Sequence, residues 1–242
     1  MKIFLLLKTV LAYLLLGILC TILIPPLFLI ACLPEKYRYD NRVFFFILDL
    51  LFKLSCRATL CPVRIIGKEN LPTGPAIFIP NHQSTLDIPL VGSLCGGNSH
   101  VWLVLEYYVS TPILGFFITR MCVAVDRKNP IKAARSLIKI LKFIQDKNRH
   151  LILFPEGGRF IDGKVHEFFE GFAIIARKTN RPVIPVFMPN NRKIYPPGSF
   201  YVHSYPLIAI IGKPLSITQD ETEKEFMQRV RNWFIEQQDA YL

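Results

Sequence analysis

From residue 57 onward the chain alternates short runs of β-favouring residues with stretches of helical periodicity, a pattern that restricts it to an α/β sheet. Seven runs predict strands, at 61–66, 76–79, 100–105, 122–125, 151–154, 183–187 and 207–211. After Pro130, apolar residues recur at Ile131, Ala134, Ile138, Leu141 and Ile144, which predicts an amphipathic helix with Lys132, Arg135, Lys139 and Lys142 on its other face. A last helix is expected from Thr218, where Thr218 and Glu221 fit a capping box ahead of the stripe Phe226, Val230, Trp233 and Phe234. Pro182 and Pro185 suit an edge strand or a rigid wall.

Upstream the chemistry changes. Residues 9–33 are 25 residues without a charge, enough at ~1.5 Å per residue to cross a ~30 Å hydrocarbon layer, although Pro25 and Pro26 break the run. A basic patch of Lys36, Arg38 and Arg42 follows, and then VFFFILDLLFKLSC, whose Asp49 and Lys53 argue against a simple crossing. Two arrangements fit: a helical pair sunk in one leaflet, or one span followed by an interfacial helix. Residues 1–56 therefore read as membrane-anchoring helices and 57–242 as the α/β domain. The net charge of +11, from 29 Lys and Arg against 18 Asp and Glu, fits an anionic membrane face or an acidic substrate or carrier. No zinc-finger spacing or RNA-binding aromatic motif accompanies it, so nucleic acid is not expected as a partner. The six cysteines are scattered, without metal-ligand spacing, and no metal is expected.

Three segments are candidates for chemistry. In NHQSTLD, Ser84 and Asp87 can cap a helix beginning near residue 85, but capping leaves His82 unexplained. A His82–Asp87 pair at this turn is suited to removing a proton from a hydroxyl. In LILFPEGGRF, the glycines at 157 and 158 allow close backbone approach, and Arg159 can bind an anion; an ordinary turn with an ion pair is the plainer account. In VAVDRKN, Arg127 is either a second phosphate ligand or a residue that starts a helix. No G-x-S-x-G elbow supports a serine nucleophile.

Taken in order, NHQSTLD, VAVDR, FPEGGR and VIPV resemble the four blocks of the phospholipid-biosynthesis acyltransferases, the glycerol-3-phosphate and 1-acylglycerol-3-phosphate acyltransferases. The blocks span residues 81–186, with flanking similarity over about 57–215. The resemblance implies a single mixed-sheet α/β domain of the glycerolipid-acyltransferase type behind an N-terminal helical membrane anchor. It also implies transfer of a fatty acyl group from acyl-CoA or acyl carrier protein, with no other cofactor, to a lysolipid acceptor, foremost 1-acyl-glycerol-3-phosphate. His82 becomes the base, Asp87 its orienter, and Arg127, Glu156, Gly157 and Arg159 the substrate-binding residues, on the cytoplasmic face of a membrane. The sequence departs from the family at Gly158, where threonine is usual, and at Val104 and Leu105, where a lysine is usual. The glycine common before the second block is also missing, with Met121 or Cys122 there instead. Loss of a cation there leaves another lysolipid open as the acceptor.

Overall fold

The computed structural model describes residues 2–145, 147–189 and 191–241. Its seven strands, β1 (Val63–Ile66), β2 (Ile77–Pro80), β3 (His100–Leu105), β4 (Val123–Val125), β5 (His150–Ile152), β6 (Val183–Phe187) and β7 (Leu207–Ile211), form one sheet in the order β1-β7-β6-β2-β5-β3-β4. Neighbours are parallel except β6 and β7, so the sheet is mixed.

Alternation along the strands feeds two cores. Ile77 and Ile79 face one side with Phe172, Phe226, Val230 and Phe234, while Phe78 faces the other with Leu90, Val91 and Cys56. The first layer comprises α6 (Pro130–Ile144), α7 (Gly171–Thr179) and α9 (Glu223–Tyr241); α1 (Lys2–Ala31), α3 (Arg42–Ala58) and α4 (Asp87–Leu94) lie on the second side. Covered on both faces, the central strands can be apolar throughout. The shorter α2 (Glu35–Arg38), α5 (Leu114–Met121) and α8 (Asn191–Ile194) complete the helices among the described residues.

Several details differ from the sequence-based expectation. The strand β6 is interior and wholly buried, not an edge. Its Pro185 is tolerated because the β7 ladder reaches only Val186 and Phe187, so the missing N–H falls where β7 gives way to Gly212. The α1 helix runs unbroken through Pro25 and Pro26. The capping box of α9 sits one turn later than expected: Thr222 N–H donates to Glu225 Oε2 at 2.7 Å, and Glu225 N–H returns to Thr222 Oγ1 at 3.3 Å. On α6 the buried residues are Ile140 and Ile144, with Leu137 and Leu141 packed beside them; Ile131 and Ile138 are exposed.

The α1 helix is fastened at both ends. Near its start Lys8 Nζ donates to Ser204 Oγ at 2.9 Å and His203 O at 3.1 Å, and Thr9 Oγ1 accepts from Val202 N–H. Near its end Leu27 and Ala31 are buried against Phe44, Phe45 and Met121. Between these attachments Leu14, Ile18 and Ile22 are exposed.

Candidate active site

Because β6, β2, β5, β3 and β4 run parallel, their C-terminal ends share one edge, the place where open α/β sheets bind ligands. Four loops leave that edge beside one another: 81–86 after β2, 126–129 after β4 and 153–159 after β5, which carry the sequence candidates, and a fourth that begins at Met188 after β6. Asn81 ties two of them together, accepting from Met188 N–H at 2.7 Å and donating to Met188 O at 3.2 Å.

The helix in NHQSTLD starts at Asp87 itself, two residues beyond the expected boundary. Its carboxylate is buried and accepts four hydrogen bonds. Gln83 N–H (2.6 Å), Ser84 N–H (2.7 Å) and His82 Nδ1 (2.8 Å) converge on Oδ2, and Asn191 Nδ2 reaches Oδ1 at 2.8 Å. Capping and pairing with His82 are thus one structure: the carboxylate that organises the turn also holds the imidazole. Phe154 stacks on that imidazole at 3.9 Å and 15°. With Nδ1–H donated to Asp87, the other ring nitrogen, Nε2, is left as a proton acceptor.

His82 opens on a cavity of about 1140 Å³ that Arg127, Gly157 and Arg159 also line. Arg127 lies across the 156–157 turn, donating from Nη1 to Glu156 O at 3.2 Å, 5.5 Å above the Phe169 ring. Gly157 has φ +64°, and a Cβ there would fall on the Arg127 guanidinium. Gly157→Ala therefore strains the turn and displaces Arg127, and should lower stability in thermal unfolding by about 1–2 kcal/mol. At Gly158, by contrast, a Cβ meets only the Phe160 ring, at 3.5 Å. Gly158→Thr should fold as well as the wild type or better, by about 0.4–1 kcal/mol in urea unfolding.

Glu156 is placed differently from its neighbours. It does not line the cavity; its buried carboxyl sits behind the site, accepting from His82 N–H at 3.4 Å and His166 N–H at 3.2 Å. Burial pushes this carboxyl up to about 7 from 4.5, against the downward pull of the two N–H donors. Between those values this carboxyl holds a proton in the folded protein and not in the unfolded chain, so its contribution to stability is lost as pH rises across that window. The fall amounts to roughly 3 kcal/mol. Across pH 5 to pH 8 the urea-unfolding stability of the wild type should fall by this amount relative to that of Glu156→Gln, a difference in which the opposite contributions of buried His100 and His150 cancel.

Asn191 is the site residue that sequence reasoning missed. It lies five residues beyond the last block, and its role depends on β6 lying beside β2, which no local pattern encodes. Val104 and Leu105, which stand where the resemblance implies a lysine, form part of the cavity wall. Among the described residues, no three His, Cys, Asp or Glu side chains converge as a metal site.

Comparison with known proteins places this geometry. The family model described as Acyltransferase matches residues 62–189. A 1-acyl-sn-glycerol-3-phosphate acyltransferase of Limnanthes douglasii is 31% identical over 162 residues, covering 66% of this chain and 57% of the relative. That of Saccharomyces cerevisiae is 30% identical over 203 residues, covering 81% and 63%. The chain thus spans somewhat over half the length of these relatives. The crystal structure of the 1-acyl-sn-glycerophosphate acyltransferase PlsC from Thermotoga maritima superposes with a TM-score of 0.76 at 22% identity, over 99% of this chain and 97% of that one, and so shares its fold. With more than half of its length matched by the family model, including the loops of His82, Asp87, Arg127 and Glu156, the chain belongs to the acyltransferase family.

Proposed function

We propose that the protein is a membrane-associated O-acyltransferase that moves a fatty acyl group from acyl-CoA or acyl carrier protein to the sn-2 hydroxyl of 1-acyl-glycerol-3-phosphate, giving phosphatidate. The observation that carries this reading is an imidazole held at 2.8 Å by a buried carboxylate, opening on a large apolar cavity whose rim bears two arginines. His82 Nε2 takes the hydroxyl proton as the oxygen attacks the thioester carbonyl. The tetrahedral intermediate then collapses with loss of the thiolate, which receives the proton from His82. Arg127 and Arg159 hold the acceptor's phosphate, and the carbon chains lie along Trp102, Phe117 and Leu137. Nothing beyond the thioester is needed as cofactor.

In this reading residues 1–56 anchor the domain that follows, and exposed Phe4, Leu7, Leu14, Ile18 and Leu29 of α1 together with Phe46 of α3 enter the lipid. The α1 helix is the one described helix long and apolar enough to cross a bilayer. Its attachment to the domain at both Lys8 and Ala31, ~35 Å apart along the helix, favours a helix lying in one leaflet over one that departs through the bilayer. The net charge of +11 favours the anionic cytoplasmic leaflet, the side on which both thioesters are available.

A second reading keeps the chemistry and changes the acceptor. Val104 and Leu105 leave the wall without the cation usual there, which favours a lysolipid of lower charge, such as a lyso-ornithine lipid or another lysophospholipid. One labelled acyl donor offered to lysophosphatidate, other lysophospholipids and lyso-ornithine lipid separates the two. Highest kcat/KM on lysophosphatidate supports the first, whereas preference for the phosphate-free acceptor overturns it.

A further inference from the structure

The cavity that begins at His82 carries a second imidazole. His100, the first residue of β3, lines the same cavity and is 4% exposed, with Phe45 at 5.1 Å and Phe52 at 6.3 Å between ring centres. Its Nδ1 is committed to Asn98 O at 2.9 Å. That bond fixes the tautomer, so Nε2 is an acceptor, and it has no hydrogen-bond partner among the described residues. Burial pushes the ring down to about 4, which keeps it neutral at physiological pH. A largely apolar cavity thus has at His100 Nε2 a buried hydrogen-bond acceptor that no described residue meets.

The depth of this spot follows from the rings between. His82, Phe154, Trp102 and His100 all line the cavity, in steps of 3.9, 6.0 and 6.2 Å. His150, the ladder partner of His100, lies four residues before Phe154, ~13 Å at ~3.3 Å per residue. An extended hydrocarbon advances ~1.25 Å per bond given C–C bonds of ~1.5 Å, so a chain whose carbonyl sits at His82 reaches His100 at roughly its tenth carbon.

We infer that the cavity selects an acyl chain bearing a hydroxyl about ten carbons from its carbonyl, whose hydrogen is donated to His100 Nε2. The inference rests on the acyltransferase reading above and specifies its donor. A buried acceptor left unpaired by a plain chain disfavours that chain, and the hydroxyl restores the bond.

The test is a positional scan. Thioesters of stearate and of stearates hydroxylated at carbons 3, 6, 10 and 12 are offered to the wild type with lysophosphatidate, and to His100→Phe. The wild type should show its highest kcat/KM with the hydroxyl at carbon 10 or 12, about tenfold or more above stearate. His100→Phe should abolish or invert that preference while still using stearate. The scan on the wild type alone is decisive if the variant does not fold. Equal use of all donors, with lysophosphatidate acylated by each, overturns the hydroxyl inference and leaves the acyltransferase reading intact. Acyl transfer from no donor to any lysolipid overturns both.

Discussion

His82→Ala should lower kcat/KM for acyl transfer by ~10²- to 10⁴-fold, the range a positioned general base contributes, while the protein remains folded. The side chain is 11% exposed and its partners are one carboxylate oxygen and the face of Phe154, so its removal costs about 1 kcal/mol of stability. Turnover and unfolding should therefore separate: a large loss in the assay beside a small shift in the urea midpoint. Equal turnover by the two proteins would remove His82 as the base. Raising the pH should not rescue the variant, because the missing group is a proton acceptor at a fixed place and not a bulk charge.

Asp87→Ala should damage both properties. Without the carboxylate, the buried N–H groups of Gln83 and Ser84 and the Asn191 amide lose their acceptor together, and leaving such donors unpaired costs about 1–3 kcal/mol each before relaxation. A loss of roughly 3 kcal/mol or more is expected in urea unfolding, with a fall in kcat/KM of ~10²-fold or more as the imidazole loses its orientation. The double variant His82→Ala, Asp87→Ala should turn over no more slowly than His82→Ala alone, because a residue that acts through His82 has nothing left to orient. Its stability should match that of Asp87→Ala. Additive losses in turnover would mean that Asp87 meets the substrate independently. Asn191→Ala, which removes one of the four hydrogen bonds, should fall between the wild type and Asp87→Ala on both axes.

All seven strands were legible in the sequence, because short β-favouring runs flanked by breakers are local patterns. The strand order was not legible, and of the two options that Pro182 and Pro185 left for β6, an edge or a rigid wall, the edge fails because the β7 ladder stops short of Pro185. The α6 stripe was misplaced for a related reason: several apolar sets share helical spacing, and only the neighbouring sheet decides that Ile140 and Ile144 are buried while Ile131 and Ile138 face outward. Within the site, His82, Arg127, Gly157 and Arg159 line one cavity. Glu156 belongs to the same loop but turns inward to brace the backbone of His82, a direction that spacing does not encode. Asn191 and His100 carry no motif at all. They become visible only as an amide bonded to a buried carboxylate and as a ring nitrogen without a partner.

On the proposed reading of the reaction, the two-ended attachment of α1 bears on what turnover does to the membrane around it. A catalyst held alongside one monolayer draws its single-chained acceptor from that monolayer and returns a double-chained product to it. Each cycle widens the tail cross-section on one side only, so sustained turnover builds an area mismatch between the two sheets of lipid. Bending, or lipid movement to the opposite side, must relieve it.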